Sequence, residues 1–88
     1  MSETSRTNTG RIIEIKGVVI DAVFHGGLPA INNALRIEMP EQEGRGAFDL
    51  IAEVQQHLGD DQVRAVAMDA TDGIPRGVDV IDTGAPIT

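Results

Sequence analysis

An all-β chain closed into a small six-stranded barrel is the fold class this sequence predicts, on three observations. Apolar and polar residues alternate with a period of two over several short segments rich in Ile and Val. Gly, Pro and Asp cluster between those segments at turn spacing. No convincing helix of three or more turns interrupts the series. Eighty-eight residues make one small domain. A chain of that size buries only about 60–65% of its unfolded surface, so packing and strand pairing must be efficient. With no cysteine, neither disulfides nor a thiolate metal site can supplement the core. Closing the sheet removes exposed strand edges, which is the reason to prefer a barrel.

The elements follow in order. Residues 1–9, rich in Ser, Thr and Asn, are expected to form a disordered tail, with the barrel over 10–83. Over residues 11–16, Ile13 and Ile15 share one face, Glu14 and Lys16 the other, and Ile12 breaks the pattern. Gly17 interrupts as a bulge or bend. In residues 18–24, Val18, Ile20, Ala22 and Phe24 line one face, and Val19, Asp21 and Val23 the other. His25-Gly26-Gly27-Leu28-Pro29 is a loop. Leu35, Ile37 and Met39 then alternate with Arg36 and Glu38 until Pro40 stops the strand. A polar turn over residues 41–46 predicts a hairpin. Phe48, Leu50, Ala52 and Val54 face inward on the next strand, with Ile51 on the polar side. A helix can be drawn from Ile51 to Leu58, but the alternation from Phe48 to Val54 favours a strand. Gly59-Asp60-Asp61 is a tight turn. Val63, Ala65 and Ala67 then oppose Arg64, Val66 and Met68, although the apolar run 65–68 is most simply core, with Met68 as a gap filler. A long turn over 69–77 leads to a last strand near residues 78–82, and residues 84–88 read as the start of a linker.

Charge and composition exclude several functions. Fourteen acids against seven bases give a formal net charge of −7. The scattered bases and the two phenylalanines argue against nucleic-acid binding, which needs clustered cations and stacking surfaces. No apolar run approaches the roughly 20 residues of a membrane-spanning helix, so no direct membrane insertion is expected. The N-terminal ten residues lack an apolar core and carry one base, unlike a secretory or transit signal.

Each candidate chemistry fails on spacing. Lys16 is the only lysine and does not follow a glycine, so no G-x-x-x-x-G-K-[ST] loop is present in these residues. Gly44-Arg45-Gly46 is a fragment of a phosphate loop, with Asp49 where the third glycine belongs. Asp69-Ala70-Thr71-Asp72-Gly73 suggests a calcium loop, but Thr71 breaks the spacing and turn capping accounts for the aspartates. His25 and His57 lie in or beside loops, and both serines, Ser2 and Ser5, fall in the tail. The acids all fall at turns or on polar strand faces, where they read as solvated charge. From the residues alone this is an acidic all-β module with no catalytic, cofactor or metal site.

Three stretches carry a resemblance. Gly10-Arg11-Ile12-Ile13-Glu14-Ile15-Lys16-Gly17-Val18-Val19-Ile20-Asp21-Ala22-Val23-Phe24 opens the structured region. Glu53-Val54-Gln55-Gln56-His57-Leu58-Gly59 is followed by Val63-Arg64-Ala65-Val66-Ala67-Met68. Thr71-Asp72-Gly73-Ile74-Pro75-Arg76-Gly77 continues to Ile87. Together with Leu28-Pro29-Ala30-Ile31-Asn32-Asn33-Ala34-Leu35, these resemble the amino-terminal domain of the F-type ATP synthase β subunit, in the right order and over nearly everything after residue 9. The related α and vacuolar-type subunits fit less well.

The resemblance implies a six-stranded barrel in a ring of barrels alternating with those of α subunits, at the end of the catalytic head farthest from the membrane. That ring holds the hexamer while lower parts of each β subunit open and close. The whole subunit makes or hydrolyses ATP in a proton-driven synthase. Its Mg-nucleotide site lies downstream of the barrel, so this chain alone is expected to catalyse nothing. A location on the cytoplasmic side of a bacterial plasma membrane is expected with it. Outward apolar positions, Val19, Val23 and Ile51, are expected to meet neighbouring barrels. The alternative is a free-standing small barrel that binds a protein or ligand partner in its own right.

Overall fold

A computed structural model describes residues 8–41, 44, 46–71 and 73–87. Six strands form: β1 (Asn8–Lys16), β2 (Val19–Val23), β3 (Asn33–Met39), β4 (Phe48–Gly59), β5 (Gln62–Ala67) and β6 (Asp79–Pro86). All pairings are antiparallel, and the order β1-β2-β5-β4-β3-β6 closes on itself as a barrel. The expected fold class is therefore the observed one.

The period-two pattern places the core. Leu35, Ile37 and Met39 point inward from β3, Leu50, Ala52 and Val54 from β4, and Val63, Ala65 and Ala67 from β5, all buried. Ile20 and Ala22 of β2, Phe24 just beyond it and Val80 of β6 complete one continuous cluster. Side chains fill the lumen, as the small diameter of six strands requires.

Three hairpins are cut by local backbone chemistry. Lys16 pairs with Val19 across a two-residue turn in which Gly17 takes φ 60°, while Val18 keeps a negative φ. That is the II′ arrangement, which matches strand twist and wants glycine first. Gly59 pairs with Gln62 across Asp60 and Asp61, both left-handed at φ 55° and 64°. This is the I′ arrangement, built here from two aspartates where Asn-Gly is usual. The third hairpin joins β3 to β4, with Met39 opposite Phe48, as the polar turn predicted.

Several boundaries and facings differ from expectation. Ile12, not Ile13, enters the core: it is 1% exposed, whereas Ile13 is 38% exposed. The cause is a β-bulge, because Ile12 pairs with Ala22 and Glu14 with Asp21, leaving Ile13 as the extra residue. Val18, expected on one strand face with Ile20, Ala22 and Phe24, sits instead in the hairpin turn and is exposed. Asn8 and Thr9, assigned to the tail, belong to β1, where they pair with Asp82 and Ile81 of β6. Residues 1–7 lie outside the described residues. The expected linker begins too early, because β6 continues to Pro86, which pairs with Asn33. Strand β4 runs on past Val54 to Gly59 through two register shifts, each letting a long strand curl with the barrel.

Candidate assembly surface

The three positions proposed for contact with neighbours all lie on the outside of the barrel and are half-buried. Val19 and Val23 stand at the two ends of β2. Val19 is flanked by Lys16 and Val66, and Val23 by Arg11 and Gln62. Ile51 is on β4, opposite Arg36 of β3. Strand β5 separates Val19 from Ile51. The fold thus brings Val19 and Ile51 to the same side of the barrel, whereas Val23 stands at the other end of its strand, in a small cavity of about 180 Å³ with Thr9, Arg11, His25 and Asp79.

Sequence reasoning missed what lies between. Val66 stands directly opposite Val19, half-buried and facing outward. Met68, read as a core gap filler, is instead 52% exposed. Its backbone N–H donates to the Ile51 carbonyl at 2.8 Å, which sets it beside Ile51. The signal was present, since Ala65 and Ala67 already claimed the inward face and left Val66 and Met68 outside.

Asp21 corrects a second expectation. It is 9% exposed on the outer face of β2 and is no ordinary solvated acid. Arg64 of β5, directly opposite, grips it in a fork: Nε donates to Oδ1 at 2.9 Å and Nη2 to Oδ2 at 3.1 Å. Such bidentate geometry is the strong form of an Arg–carboxylate pair. The hydrogen bond to Asp21, then its charge, raise the Arg64 guanidinium above its ordinary pKa, and Glu14 adds to the effect. Arg64 is charged throughout the neutral range, as arginines are. The pair borders a groove of about 290 Å³ lined also by Glu14, Lys16 and Val19. It pins β2 to β5 across 43 residues of sequence and orients the wall on which Val19 and Val66 stand.

The histidines act on loops. His57 on β4 hydrogen-bonds the Pro29 carbonyl through Nε2 at 2.7 Å, tying the β2–β3 loop to the barrel end. His25 meets Asp61 Oδ2 at 3.1 Å on the surface. Asp69 Oδ1 accepts from the backbone N–H of the next residue, Ala70, at 2.7 Å. Asp72 and Arg45 lie outside the described residues. Among the described residues no three His, Asp or Glu side chains converge as a metal site.

The outer wall of the closed barrel carries half-buried apolar residues beside the Asp21–Arg64 ion pair. A family model for the beta-barrel domain of the ATP synthase alpha/beta family matches residues 12–84. That span begins at the first core residue of β1 and ends within β6. The chain belongs to the ATP synthase alpha/beta family, as its beta-barrel domain.

Proposed function

We propose that the chain is the N-terminal barrel of a β-type catalytic subunit and serves as a structural module of an alternating α/β hexamer in a bacterial, proton-driven ATP synthase. The observation that carries this reading is a closed, side-chain-filled barrel of the family with half-buried apolar residues on its outside, Val19, Val23 and Ile51. The β-type assignment is supported by the run from Glu53 to Gly59 and the run from Val63 to Met68, which resemble β subunits more than α subunits.

Physics supports the role. A rotary machine needs a part of each subunit that does not deform. Closure leaves no sheet edge to fray, and a filled lumen resists compression. The nucleotide chemistry, with its Mg-ATP or Mg-ADP, belongs to the downstream part of the parent subunit, on the cytoplasmic side of the membrane.

The test is size-exclusion chromatography with light scattering on the chain alone and mixed with the α-type subunit of the same source. A mixed complex is expected, and Val19→Asp, Val23→Asp and Ile51→Asp should each weaken it while circular dichroism shows an intact β fold. Normal assembly by all three folded variants would remove these residues from the interface. A wild-type chain that ignores the α-type subunit would instead favour a free-standing barrel.

A further inference from the structure

Strand β6 meets its two neighbours unequally. Asp79, Val80, Ile81 and Asp82 pair with β1, and Ile81 and Asp82 pair also with Arg36 and Leu35 of β3. The next pairing with β3 is that of Pro86 with Asn33. Thr83, Gly84 and Ala85 therefore stand against the single residue Ala34, in a bulge that turns on Gly84 at φ 82°. Among the described residues, pairing with β1 ends at Asn8 with Asp82. Thr83, Gly84, Ala85 and Pro86 are all exposed.

Two side chains bridge the interrupted ladder. The Thr83 hydroxyl lies 2.7 Å from the Ala34 carbonyl of β3 and 3.1 Å from the Ala85 carbonyl of its own strand. A hydroxyl has one proton, so it serves these two acceptors in turn or is shared between them. Asp82 Oδ1 accepts from Asn33 Nδ2 at 3.2 Å and from the Gly84 N–H at 2.9 Å. Each side chain thus has one partner across the strands and one within β6. Donation to Ala34 fastens β6 to β3, and the second acceptor lets the hydroxyl leave Ala34 without going unpaired.

We propose that residues 83–86 form a strap that releases from β3 while the barrel stays closed. Exposed backbone held by a few side-chain bonds opens at low cost. Release leaves the pairs of β6 with β1 intact, and those of Ile81 and Asp82 with β3, so closure is kept. Val80, the β6 residue of the core cluster, lies before the strap. On the assembly reading above, on which this role rests, the strap takes up movement of the downstream part of the parent subunit before it reaches the barrel. The strap itself is a property of this chain alone, so it stands or falls apart from that reading.

The test is amide hydrogen exchange, read by NMR on the 88-residue chain in low concentrations of urea. The amides of Gly84, Ala85 and Ile87 should exchange faster than those of Val63 and Ala65 in β5. Their rates should depend little on urea, since a local opening exposes little surface. Thr83→Val removes the donor and should speed exchange of the strap about threefold to tenfold. Thr83→Ser keeps the hydroxyl and should stay within about twofold of wild type. Val63→Ala, in the core of β5, supplies the contrast. It should speed exchange in β5 about tenfold or more and leave the strap unchanged, because the core is intact whether the strap is fastened or released. Circular dichroism verifies the fold of each variant. Equal acceleration of strap and β5 by Val63→Ala would mean that they open together, which overturns the proposal. Strap exchange indifferent to Thr83→Val would overturn it as well.

Discussion

Gly10→Ala is expected to destabilise this barrel, against the usual trend for glycine in a strand. Replacing a strand glycine by alanine ordinarily gains about 0.5–1 kcal/mol by restricting the unfolded chain. Gly10 lies on β1 where the backbone passes directly over Phe24, which is fully buried. A Cβ built there would overlap the Val23 carbonyl oxygen and stand 2.8 Å from both Cγ and Cδ2 of the Phe24 ring. Ordinary van der Waals contact begins near 3.4 Å, and neither obstacle can swing aside. The carbonyl is backbone at the end of β2, and the ring is enclosed by the core. Strand β1 must therefore shift away from β2 or the ring must leave its rotamer, an overpacking cost of about 1–3 kcal/mol. For a domain of this size each kcal/mol lowers Tm by roughly 4–8 °C. Urea and thermal denaturation of both proteins read the difference directly. A cycle with Phe24→Leu isolates the ring's share, and a coupling of about 0.5 kcal/mol or more is expected between the two sites. Equal or greater stability of Gly10→Ala would refute the close approach of β1 to Phe24.

Two further substitutions probe local features. Ile12→Ala should cost about 2–5 kcal/mol as a core truncation, while Ile13→Ala stays within about 0.5 kcal/mol as a surface change. The reverse ranking in urea melts would mean that the bulge is misplaced. Asp61→Gly should stabilise by about 0.5–1 kcal/mol, because glycine relieves the left-handed φ of 64° in the β4–β5 turn. Among the described residues the side-chain partner lost is exposed His25, and exposed pairs contribute little. A drop in Tm for Asp61→Gly would show that the Asp61 carboxylate matters more than its backbone strain.

Much of the barrel was legible in the sequence, for a physical reason that is local. The pleat turns successive side chains to opposite faces, so Leu35, Ile37 and Met39, or Val63, Ala65 and Ala67, declare their inward face without reference to any partner. Turns declare themselves equally, since only certain residues tolerate the left-handed conformations at Gly17 and at Asp60-Asp61. The outward placement of Val19, Val23 and Ile51 was legible too, because each alternates with inward-facing neighbours on its strand.

What the tertiary structure alone decided depends on residues far apart in the chain. The order β1-β2-β5-β4-β3-β6 sets β2 beside β5, and only that pairing gives Asp21 its partner Arg64, so the acid is buried rather than solvated. The bulge at Ile13 lies in the pairing of β1 with β2, and with it Ile12 rather than Ile13 enters the core. Met68 is apolar by composition, yet closure of the lumen around Ala65 and Ala67 leaves it outside beside Ile51. Alternation along a strand is a property of one segment of backbone. Ion pairs, bulges and outward apolar strips belong to the closed barrel, and they exist only once six segments have met.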